Sequence, residues 1–337
     1  MTNFRFLIIA LFLSMTIFSC KEKTDEKSIA SQLAKPELVL QKAPVFNPDS
    51  AYFFIEKQVS FGTRVPNTAT HDQCGAYLVQ TLKNLGLEVT EQNFEAEAYN
   101  KVMLKSKNII GTYKPEASKR ILLAAHWDTR PFADQDDERK TEPILGANDG
   151  ASGVGVILEV LRTIQADKQL NIGVDVIFLD SEDYGQPENT GEHQDDSWCL
   201  GAQYWAKNRH KANYSAYFGI LLDMVGTQNA KFYKEGTSRN FAPTVTDKIW
   251  EIGEKLGYSD FFIQKNSGGI TDDHLYINKI AGIPTVDIID HDPNSMSYFN
   301  QYWHTHDDNM KIIDKKTLKA VGQTVLQVLY NEQNTVN

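Results

Sequence analysis

Four segments of the chain share one design, an apolar run with little polar alternation that ends in a histidine or acids. They are "RILLAAHWD" from Arg120, "NIGVDVIFLDSED" from Asn171, "SAYFGILLDMVG" from Ser215 and "AGIPTVDIIDHD" from Ala281. Runs of this kind suit strands covered on both faces, as in a parallel sheet. Polar groups placed where such strands emerge gather at the carboxyl edge of the sheet, where open α/β folds hold ligands. Helical patterns lie between the runs. "ASGVGVILEVLRTI" from Ala151 places Ile157, Val160, Leu161 and Ile164 on one face, and a last helix from about Lys315 carries Leu318, Val321, Val325, Val328 and Leu329 at helical spacing. Two earlier helices end near Phe61-Gly62 and at Gly86. The alternation predicts an α/β fold, a single domain whose central, mostly parallel or mixed β-sheet is flanked by helices. Two long loops, Pro131 to Leu145 and Gln186 to Ser197, belong to its functional edge or to disorder.

The amino terminus stands apart from this pattern. "MTNFRFLIIALFLSMTIFSC" has one early cation, Arg5, then an apolar stretch from Phe6 to Phe18 that is too short for an ordinary membrane span. Residues 1–19 read as a secretory signal peptide. The Ser19-Cys20 junction resembles a bacterial lipoprotein cleavage box, with Ile17 a loose substitute for the usual Leu, so Cys20 is the expected site of lipidation. Residues 20–44 begin polar and highly charged and read as a flexible tether. Residues 45–337 form the expected catalytic domain. The expected location is therefore the periplasmic face of a bacterial membrane or the cell surface, with the membrane as a partner through the lipid. Of the other two cysteines, Cys74 and Cys199, neither lies in a CxxC pair, which argues against a cysteine-rich zinc site. Whether these two thiols form a disulfide depends on geometry. The formal net charge is -10 and no Lys/Arg-rich patch stands out, which argues against nucleic acid as a partner.

The polar residues at the strand ends form a constellation. His126 and Asp128 follow one run, Glu182 and Asp183 another, and Asp223 ends a third; Asp149 stands at a helix start and His304 in "YWHTHDD". Each alone has an ordinary explanation: an N-cap for Asp149, a solvated pair for Glu182-Asp183, a packing residue for His304. Together, Asp, Asp or Glu, and His are the oxygen and nitrogen donors of tetrahedral zinc with an open fourth position. Successive side chains on extended backbone point to opposite sides, so Asp183 can bind metal while Glu182 points toward substrate as a base. Asp128 is placed to orient the His126 imidazole.

In order along the chain, "AAHWDTRP", "GANDGASGV", "FLDSEDYG", "LLDMVG" and "YWHTHDDN" resemble the motifs of the zinc aminopeptidase-like (phosphorylase/hydrolase-like) fold, shared by co-catalytic aminopeptidases and glutaminyl cyclases. The resemblance runs from about Ala51 to the C-terminal helix. It implies that Asp149, Asp183 and His304 are zinc ligands and that Glu182 is the general acid/base. In the aminopeptidase branch His126 and Asp223 hold a second zinc. In the cyclase branch one zinc is bound per chain and Asp223 joins a proton-transfer network.

Three features resemble the cyclases. Glu182 is followed by Asp183 where the aminopeptidases usually have a second Glu. Trp303 precedes His304 where many aminopeptidases have Tyr. "TDDHL" resembles the cyclase segment whose acid completes the network, with Asp273 matching it. Trp198, after the acidic loop, is the expected second aromatic wall beside Trp303, although either indole could instead be core packing. The activity so implied is glutaminyl-peptide cyclisation, with peptides or proteins carrying an N-terminal Gln as substrates. The alternatives are a di-zinc aminopeptidase and, from a different class, a non-catalytic surface-binding lipoprotein.

Overall fold

The structure is a computed structural model, and it describes residues 37–187, 190–192, 194, 196–295 and 298–333. The expected signal segment and Cys20 lie outside these residues. Asn47 caps the first helix, α1 (Pro48–Val59), by accepting from Asp49 and Ser50 backbone N–H groups, and Pro48 supplies its first turn. Thr68 caps α2 (Ala69–Asn84). Gly86, at φ 77°, turns the chain from α2 into strand β1 (Glu88–Glu97), which pairs antiparallel with β2 (Met103–Tyr113).

The apolar runs then deliver what their composition predicts. They form β3 (Arg120–His126), β4 (Gly173–Leu179), β5 (Phe218–Asp223) and β8 (Thr285–Ile289), in a six-stranded sheet of order β1-β2-β4-β3-β5-β8. The pairs β4/β3, β3/β5 and β5/β8 are parallel, while β2 joins β4 antiparallel, so the sheet is mixed with a parallel centre. The chain leaves β3 for β4 on one side and returns across to β5 on the other. That crossing opens a crevice at the carboxyl ends of β3, β4 and β5.

Helix α3 (Ala151–Asp167) joins β3 to β4 and is buried on nearly every face, not on a single stripe. It packs against β3 and β5 below, against α1, and against the last helix, α8 (Lys315–Glu332), so little beyond Arg162 and its last turn is left for water. Gly153 allows the contact with the sheet, because a Cβ there would lie 2.1 Å from the Leu222 carbonyl oxygen. The other sheet face is covered by α4 (Leu200–Lys207) and by the segment from α7 (Asp273–Tyr276) through the π-turn Ile277–Ala281. Between β5 and β8, where no pattern was legible in sequence, the chain builds β6 (Phe232–Lys234), α5 (Gly236–Phe241), α6 (Pro243–Lys255) and β7 (Phe262–Asn266), with β6 and β7 paired parallel. Gln41 and Pro44, assigned to the tether in sequence, are hydrogen-bonded to α8 side chains: Asn331 accepts from the Gln41 N–H, and Gln323 and Gln327 donate to the carbonyls of Pro44 and Gln41. No helix among the described residues is long and apolar enough to cross a membrane.

Candidate active site

The end of β3 supplies the first residue. His126 Nε2 stands 3.0 Å from Asp149 Oδ1 and 3.2 Å from Asp223 Oδ1, and its Nδ1 is 3.5 Å from Asp128. Asp128 does more than face that imidazole. Its two oxygens accept the backbone N–H groups of Glu182 and Asp183, each at 3.1 Å, and so fix the turn that follows β4. Asp149 does not cap α3, since Gly150 occupies that position. It is held instead by Asp308, whose carboxylate accepts the N–H groups of Asn148 and Asp149 at 2.7 and 3.0 Å. Burial and the neighbouring Asp149 push Asp308 up to about 7.

The long loop between β3 and α3 is pinned by a buried arginine. Arg64 donates to the carbonyls of Trp127, Leu145 and Gly146 at 2.7–2.9 Å, which ties the two ends of the loop together. Leaving any of these carbonyls unpaired in the interior would cost roughly 1–3 kcal/mol. Inside the loop, Arg130 grips Asp134 through two bonds of 2.9 Å and donates to the Asp183 carbonyl, also at 2.9 Å.

His304 completes the centre. Its Nε2 is 3.1 Å from Asp183 Oδ1 and 3.7 Å from Asp149 Oδ2, and its Nδ1 is 3.0 Å from Asp134. Two trios therefore have donor atoms within 4.8 Å of one another, Asp149–Asp183–His304 and His126–Asp149–Asp223, and they share Asp149. Neither Asp183 oxygen has a hydrogen-bond partner among the described residues, although His304 Nε2 is close by. Burial, then the charge of Asp149, pushes Asp183 up to about 6. Two buried carboxylates beside an imidazole, one of them with both oxygens bare, form a donor set suited to a divalent cation, and zinc accepts this O/N combination.

Glu182, the neighbour of Asp183, points into an adjoining cleft of about 800 Å³, whose lining includes both trios' outer faces, Trp198, Trp303 and Asp272. Burial, followed by the charges of Asp183, Asp272 and Asp273, raises Glu182 well above the usual carboxylate range. Asp223 is likewise pushed up to about 7 by burial, with Asp272 and Asp149 adding to the effect. Asp273 is fully buried beneath the cleft, and both of its oxygens lack partners among the described residues. Three acids, Glu182, Asp223 and Asp273, are thus raised together by burial and by one another's charge, which favours shared protons over three separate charges. The Trp303 ring lies against His304 at 3.9 Å, and Trp198 runs parallel to the same imidazole at 6.0 Å. The Arg130 guanidinium sits 4.4 Å above the Trp198 ring. Gly185 makes room for that indole, since a Cβ there would come within 1.9 Å of it.

Every site residue singled out in the domain's sequence therefore converges on one crevice. Three contributors went unread. Asp134 and Asp308 act through His304 and Asp149; both are acids beside a motif, but only contact reveals their partners. Asp272 shares "TDDHL" with Asp273, and the structure brings its carboxylate within 4.8 Å of Glu182 and Cys199. Cys199 and Cys74 are both free thiols, so no disulfide joins them.

The model of peptidase family M28 matches residues 108–329 of the chain. Among solved structures, the chain is similar to the Bacteroides thetaiotaomicron glutaminyl cyclase bound to N-acetylhistamine, at 54% identity over 86% of this chain and 99% of that one, with a TM-score of 0.84. It is similar to a leucine aminopeptidase precursor from the same organism at 53% identity, over 87% of this chain and 99% of that one, with a TM-score of 0.83. The glutaminyl-peptide cyclotransferase of Drosophila melanogaster is 25% identical over 276 residues, 75% of this chain and 73% of that protein.

Proposed function

The chain belongs to peptidase family M28, and from that premise we infer that it is a zinc-dependent glutaminyl-peptide cyclotransferase, converting an N-terminal Gln to pyroglutamate with release of ammonia. The observation that carries this reading is the match along nearly the whole Bacteroides cyclase. In this reaction the substrate α-amine nitrogen bonds to the side-chain amide carbon, and the bond from that carbon to its own nitrogen breaks. The amine proton leaves with the departing nitrogen as ammonia.

Asp149, Asp183 and His304 would hold zinc, which when bound polarises a carbonyl oxygen and offsets the negative charge that develops there. Glu182, made more basic by its buried, acidic surroundings, takes the proton from the α-amine and returns it to the leaving nitrogen. Nucleophile and electrophile belong to one substrate, so holding its side chain folded supplies much of the rate. Trp198 and Trp303 line the cleft at the ligand end, where flat apolar walls favour that folded shape and exclude water. Asp223 and Asp273, raised in the same way by burial and by neighbouring charge, are the acidic surroundings that keep Glu182 able both to accept and to donate.

The aminopeptidase alternative rests on the intact trio of His126, Asp149 and Asp223 and on the likeness to the leucine aminopeptidase precursor. In that reading His126 and Asp223 are ligands to a second zinc. The two readings separate at Asp223→Asn. In a cyclase the variant keeps one zinc per chain and loses roughly 10²-fold in cyclisation rate, the scale of acid–base contributions. Metal analysis together with assays on Gln-peptides and Leu-peptides decides between them: two zinc ions in the wild type, one in the variant and release of free leucine would overturn the cyclase reading.

Location follows from the amino terminus. We propose export and attachment to a membrane through lipid on Cys20, supported by the apolar segment and the residues before that cysteine. A single acyl chain binds a membrane only weakly, so stable attachment requires the several chains of a bacterial lipoprotein. Cys20→Ala is expected to shift the protein from the membrane to the soluble fraction or to leave an uncleaved precursor. Wild-type protein found free of lipid in the soluble fraction would overturn the anchor.

A further inference from the structure

If Glu182 moves the proton, as the cyclase reading has it, something must hold its carboxylate toward the cleft. The residue in contact with it is Cys199. Its backbone N–H donates to the Glu182 carbonyl at 2.9 Å, and the N–H of Leu200 donates to the Ser181 carbonyl at 3.1 Å, so the start of α4 is fastened to the turn after β4. The thiol sulfur lies 3.2 Å from Glu182 Oε1. Cys199 is fully buried and takes a left-handed conformation at φ 59°. It occupies the N-cap position of α4, yet its side chain makes no capping bond.

From this geometry we propose that Cys199 is a positioning residue for Glu182: its S–H donates to Oε1, fixes the carboxylate rotamer, and reserves Oε2 for the substrate amine. The choice of sulfur has a physical reason. Side-chain oxygens at an N-cap are drawn to the first backbone N–H groups of the helix. Sulfur is a weak acceptor, so the thiol is not recruited to the helix and its one donor stays with Glu182. Burial, and after it the charge of Glu182, keeps this thiol well above its ordinary range, so it remains protonated and donates. With Oε1 occupied by a donor, proton traffic is confined to the oxygen facing substrate.

The test uses the full-length, zinc-loaded enzyme and a Gln-peptide, with kcat, KM and zinc content measured for each variant. Cys199→Ala is expected to lower kcat about tenfold, the equivalent of one ordinary hydrogen bond, with KM and zinc content unchanged. Cys199→Ser keeps a donor that can still reach Oε1 while its oxygen accepts a helix N–H, and should lose less rate than Cys199→Ala. In a Glu182→Gln background Cys199→Ala should cause no further loss, because a residue acting through another has nothing left to act on. A wild-type kcat in Cys199→Ala, equal losses in the Ala and Ser variants, or the same tenfold loss in the Glu182→Gln background would each overturn the proposal. A wild type that forms no pyroglutamate from Gln-peptides would overturn the cyclase reading itself, and the role of Cys199 with it.

Discussion

Glu182→Gln is expected to reduce cyclisation by roughly 10²- to 10⁴-fold, the range of a lost general acid–base group, while leaving zinc content and KM near wild type. The separation follows from how the two neighbouring acids are held. The backbone N–H groups of Glu182 and Asp183 are both fixed by Asp128, and this bond does not depend on the side chain at 182. Asp183 turns to His304 and Asp149, whereas Glu182 turns to Cys199 and the cleft. An amide at position 182 keeps the size of the carboxylate and can still accept from the thiol. It cannot take a proton from an amine. Kinetics on Gln-peptides, paired with metal analysis, give the answer, and a variant turning over near the wild-type rate would remove Glu182 from the mechanism.

The second large effect is expected on removing the metal, and Asp149 is where it can be probed most directly. Asp149 belongs to both trios, so Asp149→Ala should strip bound zinc and abolish measurable turnover, and chelation of the wild type should do the same reversibly. Stability supplies a readout independent of activity. A ligand that binds only the folded state stabilises it by RT ln(1 + [L]/Kd), about 4 kcal/mol at a thousandfold excess over Kd. Without a cation, Asp149 and Asp183 are neighbouring buried acids, and burial already drives Asp183 upward. A chelator should therefore lower the melting temperature of the wild type and leave that of Asp149→Ala unmoved. Restoration by one equivalent of zinc supports the cyclase arrangement. Full activity in the presence of a strong chelator would remove zinc from the reaction.

These two experiments address different parts of one electrostatic design. Of the two acids in the candidate metal trio, Asp183 has both oxygens without a hydrogen-bond partner among the described residues, as a ligand for a cation should. The acids around Glu182 raise one another toward neutrality instead. Asp149, hydrogen-bonded by the His126 imidazole and close to His304, is held below the usual carboxylate range despite its burial. It is thus the acid whose surroundings favour the charged form, as the ligand common to both trios requires.

Much of this was written in the sequence, for a local reason. A strand covered on both faces must be apolar along its length, so "ILLAA", "VIFL" and "GILL" announced β3, β4 and β5, and the polar residues after them announced the working edge of the sheet. The order of motifs added the candidate site residues, because His126, Asp149, Glu182, Asp183, Asp223 and His304 each sit at a strand end, helix start or turn that sequence can place. What only the tertiary structure decided is everything that depends on contact between distant segments. The near-complete burial of α3 required α1 and α8 to close over it. The strand order, with β2 inserted antiparallel beside β4, left no trace in any single run. Asp134 and Asp308 are ordinary acids until the fold sets them against His304 and Asp149. Cys199 could be read only as a possible disulfide partner, since the thiol gains its place at Glu182 when α4 docks on the turn after β4. Sequence pattern records what each segment needs from its own neighbours, and the pairing of side chains between segments is determined by packing.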